Sequence, residues 1–427
     1  MRTKQNPLSL NSAGKILIAS LAGTTIEFFD FYIYATASVL VFPKLFFPAG
    51  DATTATLQSL ATFALAFFAR PVGAALFGHF GDRIGRKATL VAALMTMGCA
   101  TVLIGLLPTY SSAGVIAPVL LALLRFTQGL GLGGEWGGAV LLATENAPPG
   151  KKALYGMFPQ LGAPIGFLLS TALFLLLGKA MSDEQFLHYG WRIPFIASAL
   201  LVWVGLYVRL KLVETPAFLK VMNNNERVDL PIKDVFSKHI LILLLGTMVS
   251  VTVFLLFYLM TVFTLSWGTS NLHYSHASFL VAQMISMLFF AGAILISGIY
   301  SDRYGRRTIL LIASTAVLIF GLCFSQLFVA GKEGLLIGFL SLGMFLMGLS
   351  YGPLGTALAE IFPAAVRYTG ASLAFTLAGI LGASLTPYLA TRLANTYGLH
   401  YVGYYLSFAV TLTIVSLILA RSMMKEQ

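Results

Sequence analysis

Long apolar segments recur along the whole chain and constrain its fold more than any other feature of the sequence. Each is about 20 residues or longer, the length that a helix needs to cross a bilayer. Only 10% of the residues are charged, against roughly a quarter in a soluble domain. We therefore expect an all-α membrane protein. The apolar segments predict twelve transmembrane helices, at about residues 15–42, 54–78, 88–107, 114–143, 153–178, 190–211, 239–265, 276–299, 308–330, 334–358, 370–393 and 400–421.

Lysine and arginine residues are distributed unevenly between alternate loops. If the N-terminus is inside, about twenty of them fall in inner segments, including Arg2, Lys4, Arg209, Arg227 and Lys425. The outer segments hold only Lys44, Lys179, Arg192, Lys332 and Arg392. This positive-inside bias predicts that both termini are cytoplasmic. The net charge of +11 is thus a signal of topology and of contact with anionic lipid, and we expect no nucleic-acid partner.

The chain contains an internal repeat in parallel orientation. A polar interruption at 212–238 separates a predicted N-terminal unit, 1–211, from a predicted C-terminal unit, 239–427. The segment 78–87, which reads GHFGDRIGRK, returns 220 residues later as GIYSDRYGRR, after the second helix of each unit. Glu145 at the end of helix 4 likewise returns as Glu360 at the end of helix 10. Such a repeat indicates two six-helix halves joined by a linker.

The duplicated G-x-x-x-D-R-x-G-R-[KR] loop resembles the signature of the major facilitator superfamily. Shorter segments look like those of the metabolite:H⁺ symporter family within it: 27–31 (EFFDF), 68–71 (FARP), 125–129 (RFTQG), 133–136 (GGEW) and 214–216 (ETP). This resemblance covers essentially the whole chain. It implies two six-helix bundles related by a pseudo-twofold axis around a central cavity. Members of that family carry shikimate, α-ketoglutarate, citrate, or proline and betaine, which implies a similar solute here.

The resemblance also implies a gating role for the duplicated loops. Asp82 would cap the cytoplasmic end of helix 11, and Arg83 or Arg86 would reach Glu145. Four residues would mirror these contacts in the second half, namely Asp302, Arg303, Arg306 and Glu360. Such contacts can form in one conformation and break in another. The alternative is a charged loop that only enforces topology.

Five charged residues are clear cases of a charge inside a predicted helix, away from its ends, where each costs about 2.5–3.5 kcal/mol on insertion scales. They are Glu27, Asp30, Arg70, Arg125 and Glu135. Glu27 and Asp30 are three residues apart and predict one shared helix face towards the cavity, with Tyr34 one turn further along. Glu27 is expected near the helix entrance. Because no acid or arginine lies deep within helices 7–12, we expect proton coupling in the N-terminal half.

Pairing of membrane carboxylates with arginines suggests proton coupling without a cofactor. Desolvation raises the pKa of a carboxyl group and a neighbouring arginine lowers it, so movement of the arginine can switch protonation. Asp30 is our first candidate for the proton-carrying group, followed by Glu135 and then Glu27. Arg125 or Arg70 would partner the acid or bind a substrate carboxylate. Static salt bridges between helices remain the alternative. Polar groups that could bind the solute are Tyr34, Arg125, Gln128, Gln160 and Tyr258.

A proton-coupled importer of a small organic acid or zwitterion, working as a monomer in the inner membrane, fits these features best. An exchanger or exporter is the alternative, because Gly162-Ala163-Pro164-Ile165-Gly166 partly resembles a pattern of exchangers in the superfamily. An enzyme would need a nucleophile with its base, or a metal cluster, and neither pattern occurs. The histidines lack metal-ligand spacing and no P-loop is present, so we expect no metal, no cofactor and no ATP coupling.

Overall fold

The computed structural model describes residues 13–48, 52–211, 214–223 and 231–422, and these residues form helices and connecting turns with no strand. Twelve long helical segments follow one another. They are labelled α1 (Ala13–Leu40), α2 (Ala52–Arg83), α3 (Arg86–Leu106), α4 (Ile116–Glu145), α5 (Lys152–Ala180), α6 (Arg192–Leu210), α7 (Ile240–Ser270), α8 (His276–Tyr304), α9 (Arg306–Leu322), α10 (Glu333–Ile361), α11 (Ala364–Tyr397) and α12 (Leu399–Leu419).

These helices confirm the predicted all-α membrane fold and the number of spans. Eleven of them are long and apolar enough to cross a bilayer, and α9, with 17 residues, is the shortest. The linker contains two short helices, Pro216–Asn223 and Pro231–Lys238. The predicted inner charges Arg2, Lys4, Arg227 and Lys425 lie outside the described residues.

Three of the long helices are interrupted near their middle. α5 changes direction at Leu161, which ends Lys152–Gln160 and begins Gly162–Ala180. α7 contains a π-helical segment at Leu259–Phe263, and α11 contains another at Ile380–Ser384. Segments of this kind are frequent at functional sites, because they change the direction in which the following side chains point.

The glycines of α5 are explained by its close packing against α1. A Cβ atom at Gly162 would overlap Thr24, and one at Gly166 would come within 2.7 Å of the backbone nitrogen of Phe29. Small residues at these two positions therefore let the two backbones approach. This packing accounts for the motif that suggested an exchanger.

Candidate functional site

Four positions along α1 carry or contact buried polar groups at successive levels. The first lies near the face that carries the two duplicated loops. We call this face, defined by residues 78–87 and 298–307, the motif face. Gly23 contacts an ion pair formed by other helices, Glu27 lines a central cavity, and Asp30 points into the N-terminal half. Tyr34 follows one turn later. At a rise of about 1.5 Å per residue, the four positions cover roughly 16 Å of membrane depth.

Asp30 is completely buried and is held by hydroxyl groups from two other helices. Thr101 on α3 donates a hydrogen bond of 2.9 Å to one carboxylate oxygen, and Ser198 on α6 donates one of 2.5 Å to the other. Within the described residues Asp30 forms no ion pair. The prediction that it shares the cavity face with Glu27 is wrong. Three residues turn a helix by 300°, so the two side chains diverge by about 60°.

Arg125 is connected to Asp30 through neutral side chains. Its Nη1 donates to Gln128 Oε1, Gln128 Nε2 donates to Thr101 Oγ1 over 2.8 Å, and Thr101 reaches the carboxylate. The Arg125 guanidinium stacks 3.9 Å above the centre of the Tyr34 ring. Its Nε and Nη2 atoms are buried without a hydrogen-bond partner. An arginine with unused donors is therefore linked through two neutral side chains, Gln128 and Thr101, to an acid that forms no ion pair with a described residue.

Glu135 forms a buried ion pair with Arg209 of α6, whose Nη1 also donates to the Leu90 carbonyl over 2.9 Å. Neither Arg125 nor Arg70 is its partner. Arg209 was expected among the inner loop charges, but its side chain is only 2% exposed. It lies at the end of an apolar helix, where the sequence alone does not distinguish a topology charge from a buried partner. This fixed pair makes Glu135 a weaker candidate for the proton-carrying group.

A central cavity lies between the two halves and is lined by residues of both. Glu27 and Arg70 provide its charged groups. The opposite wall comes from α7, α10 and α11 and is neutral, with residues Val253, Phe254, Phe257, Tyr258, Met347, Tyr351 and Phe375. Every fully buried acid or arginine of the described chain precedes residue 212.

Only one of the five residues predicted to bind the solute lines this cavity, and that residue is Tyr258. Tyr34 donates a hydrogen bond of 2.9 Å to Thr62, so its hydroxyl serves packing within the N-terminal half. Arg125 and Gln128 belong to the same buried layer. Glu27 was expected near the entrance of its helix. It is 3% exposed and lies in the cavity wall, so the predicted depth is wrong.

Gln160 bridges the two halves and does not face the cavity. It accepts a hydrogen bond of 2.8 Å from the Trp136 indole and donates one of 3.0 Å to the Tyr351 carbonyl. Trp136 in turn stacks on Phe375 of α11, with 3.5 Å between ring centres and 4° between planes. These contacts close the cavity on the side of the motif face.

The first duplicated loop connects the halves through Asp82. Its carboxylate accepts hydrogen bonds from the backbone nitrogens of Tyr368 and Thr369, at 3.3 and 3.0 Å, and from the Thr369 hydroxyl at 2.9 Å. Asp82 therefore caps α11, where an acid is favoured by the helix dipole. Arg86 bonds Asp82 at 2.9 Å and Glu145 at 3.4 Å. Arg83 beside them is half-buried.

The second loop repeats this arrangement with the halves exchanged. Asp302 accepts hydrogen bonds of 2.8 Å from the backbone nitrogens of Ala153 and Leu154 at the start of α5. Arg306 contacts Asp302 at 3.3 Å and Glu360 at 3.1 Å. Arg303 is exposed and stacks over Tyr304, so its predicted place in this cluster is wrong. Adjacent residues of a helix point in different directions, so Asp302 points towards the cluster while Arg303 points away from it.

Described residues of the linker join the first cluster. Glu214 accepts hydrogen bonds from the backbone nitrogens of Arg86 and Lys87, at 3.0 and 3.2 Å, and so caps α3. Thr215 donates a hydrogen bond of 2.6 Å to Glu145, and the Phe218 ring lies 5.4 Å from the Arg86 guanidinium. The sequence marked 214–216 as a family segment, but its partners are far away in the chain and could not be read from it.

The fold and its site define a class before any relative is considered: a membrane transporter with two similar halves, a central cavity and a closed motif face. The profile of the Major Facilitator Superfamily matches residues 20–387 and 269–425. The chain belongs to this superfamily, whose proteins are transporters and not enzymes.

Relatives with a named role extend over almost the whole chain. The inner membrane metabolite transport protein YhjE of Escherichia coli is 53% identical over 97% of this chain and 96% of its own length. The shikimate transporter of Escherichia coli is 34% identical over 98% and 95%. Among solved structures, the proton:xylose symporter XylE bound to 6-bromo-6-deoxy-D-glucose matches with a TM-score of 0.77 over 97% of this chain and 96% of that one. At 16% identity, that likeness supports the fold alone.

Proposed function

We propose that this transporter is a proton-coupled symporter that takes up a small organic acid or zwitterion across the inner membrane as a monomer. The motif face would be cytoplasmic, together with both termini, and the halves would comprise 1–211 and 239–427, joined by 212–238. The relatives support this proposal, because one is named as an inner membrane metabolite transporter and others carry shikimate or proline and betaine.

The observation that carries the proposal is the position of Asp30 beside Arg125 without an ion pair between them. Protonated Asp30 is compatible with its two hydroxyl neighbours, and it leaves the Arg125 donors unused. Loss of the proton would create a buried carboxylate, which an arginine stabilises strongly. Replacement of Gln128 by Asp30 as the hydrogen-bond partner of Arg125 would then link proton release to a change in the packing of α1 against α4.

Alternating access would use the two halves of the motif face. Asp82 caps the start of α11 and Asp302 caps the start of α5, and both contacts close this face between the halves. When the solute and proton are bound, the contacts would break and the cavity would open inward. Such contacts bias an equilibrium between two conformations and take no part in binding the solute.

The test is an Asp30→Asn variant in proteoliposomes with an imposed pH gradient. Asparagine has nearly the same shape and can still accept hydrogen bonds, so solute binding should persist. Accumulation driven by the pH gradient should be lost. Asp183→Asn is the matched control, because Asp183 is exposed in the loop before α6 and should leave accumulation unchanged. If Asp30→Asn accumulates solute with the pH dependence of the parent, Asp30 is not the proton carrier and Glu27 becomes the next candidate.

A further inference from the structure

Two side chains of opposite charge type open onto the central cavity, and neither has a hydrogen-bond partner among the residues that the structure describes. The buried Oε2 atom of Glu27 and the buried Nε atom of Arg70 are both unsatisfied. Within the described part of the chain they form no ion pair with each other. The Arg70 guanidinium is held by aromatic rings, 4.8 Å from the centre of Phe31 and 5.2 Å from that of Phe67. Buried charges without partners are costly, which indicates that a ligand completes both groups.

The surroundings of Glu27 fit an organic cation better than a metal ion. The cavity wall is rich in aromatic rings, including Phe28, Tyr32, Phe257 and Tyr351. Rings of this kind attract ammonium groups, and quaternary ammonium ligands are recognised by cages of them. A metal ion would need several oxygen ligands, and no group of three potential metal-binding side chains occurs among the described residues.

The spacing of the two charges fits a small molecule that carries both signs. Phe31 lies one turn, about 6 Å along the axis, beyond Glu27 on the same helix face. Because the Arg70 guanidinium stacks on Phe31, the two groups lie at neighbouring levels of the cavity wall. The facing wall contributes no charge. An anion alone would satisfy Arg70 but would be repelled by an ionised Glu27.

We propose that the cavity binds small zwitterions, with the carboxylate on Arg70 and an alkylated ammonium group between Glu27 and the aromatic rings. This inference rests on the proposed function and specifies its substrate class. It makes Glu27 a specificity-determining residue, separate from the proton site at Asp30. A solute with a carboxylate but no positive charge would leave Glu27 unsatisfied.

Pairs of isosteric ligands test this assignment on the purified full chain by isothermal titration calorimetry. Glycine betaine and 3,3-dimethylbutanoate have the same shape but differ by one positive charge, as do proline and cyclopentanecarboxylate. We expect at least one zwitterion to bind about tenfold or more tightly than its isostere. Equal affinities within both pairs, or no binding of either zwitterion at millimolar concentration, would overturn the proposal.

A Glu27→Gln variant adds a second measurement. Glutamine keeps the shape but removes the negative charge, so the preference for the zwitterion should fall to within about threefold while the isostere binds at least as well as before. An unchanged preference would overturn the role of Glu27. Asp183→Asn, remote from the cavity, is the matched control. The isostere comparison on the parent protein decides the proposal even if this variant fails to fold.

The two proposals can fail separately. Proton-driven accumulation of an organic acid by the parent protein, without any preference for zwitterions, would overturn only the substrate class. A clear preference for zwitterions, without any proton movement during transport, would overturn only the coupling.

Discussion

An Asp82→Asn substitution should release α11 from the motif face and shift the conformational equilibrium. The Asp82 carboxylate receives four hydrogen bonds, one from Arg86 and three from Tyr368 and Thr369. Asparagine keeps one acceptor oxygen but replaces the other with a donor. A hydrogen bond to a charged group contributes about 1.5–3 kcal/mol, and loss of one such contribution corresponds to about a 10- to 150-fold shift towards the open motif face.

The assay measures how fast a thiol at position 372 reacts with a maleimide. Ser372 on α11 is buried against Gly137 on α4, so it becomes accessible when the motif face opens. The native Cys99 and Cys323 are exposed and would be replaced by alanine first. With Ser372→Cys in nanodiscs, Asp82→Asn should raise the labelling rate about tenfold or more.

Arg303→Gln provides the control for this measurement. It changes a charge in the second duplicated loop, but Arg303 is exposed and stacks over the adjacent Tyr304. Labelling should therefore stay within about twofold of the parent rate. If Asp82→Asn also stays within that range, the cap on α11 does not hold the motif face closed, and the reasoning is refuted.

Three further predictions concern the N-terminal half. Arg125→Lys should reduce the initial transport rate by about tenfold or more, because lysine lacks the planar guanidinium that stacks on a ring and donates two parallel hydrogen bonds. Full activity would show that only a positive charge is needed. Glu135→Gln leaves Arg209 buried without its partner and should lower the free energy of unfolding by about 3–5 kcal/mol, measured as a lower melting temperature. An unchanged melting temperature would contradict the ion pair. Gly23→Ala should destabilise the protein by about 1–3 kcal/mol, because its Cβ would overlap that ion pair. Gly14→Ala, at a position that faces open space, should not. Equal melting temperatures of the two variants would contradict the packing at Gly23.

The duplicated loops could be predicted from the sequence because the motif itself repeats, and the resemblance to a known family implied their partners. Asp82 and Asp302 lie at the same position of two copies of one motif, and each caps a helix of the other half. The number of spans could also be predicted from the sequence, because each apolar segment is by itself about as long as a membrane-spanning helix.

The orientation of single side chains within a helix could not be predicted as well. Glu27 and Asp30 are three residues apart, and whether both face the cavity depends on how α3 and α6 pack around α1. Arg209 near the end of an apolar helix reads as a loop charge until Glu135 is found opposite it. Partners that are distant in the chain leave no periodic signal, so these contacts required the structure.

The confinement of buried charge to the N-terminal half has an electrical consequence. Six ionisable side chains of opposite sign balance within the described membrane core, between the motif face and the level of Tyr34, and these are Glu27, Asp30, Glu135, Arg70, Arg125 and Arg209. With all three acids ionised their sum is zero, so reorientation of the empty carrier should be insensitive to voltage. A carrier loaded with a proton and a zwitterion moves one positive charge, which a membrane potential drives by about 2.3 kcal/mol per 100 mV. A monoanion with one proton would move no net charge, so a potassium-diffusion potential would accelerate uptake of a zwitterion and leave uptake of an acid unchanged.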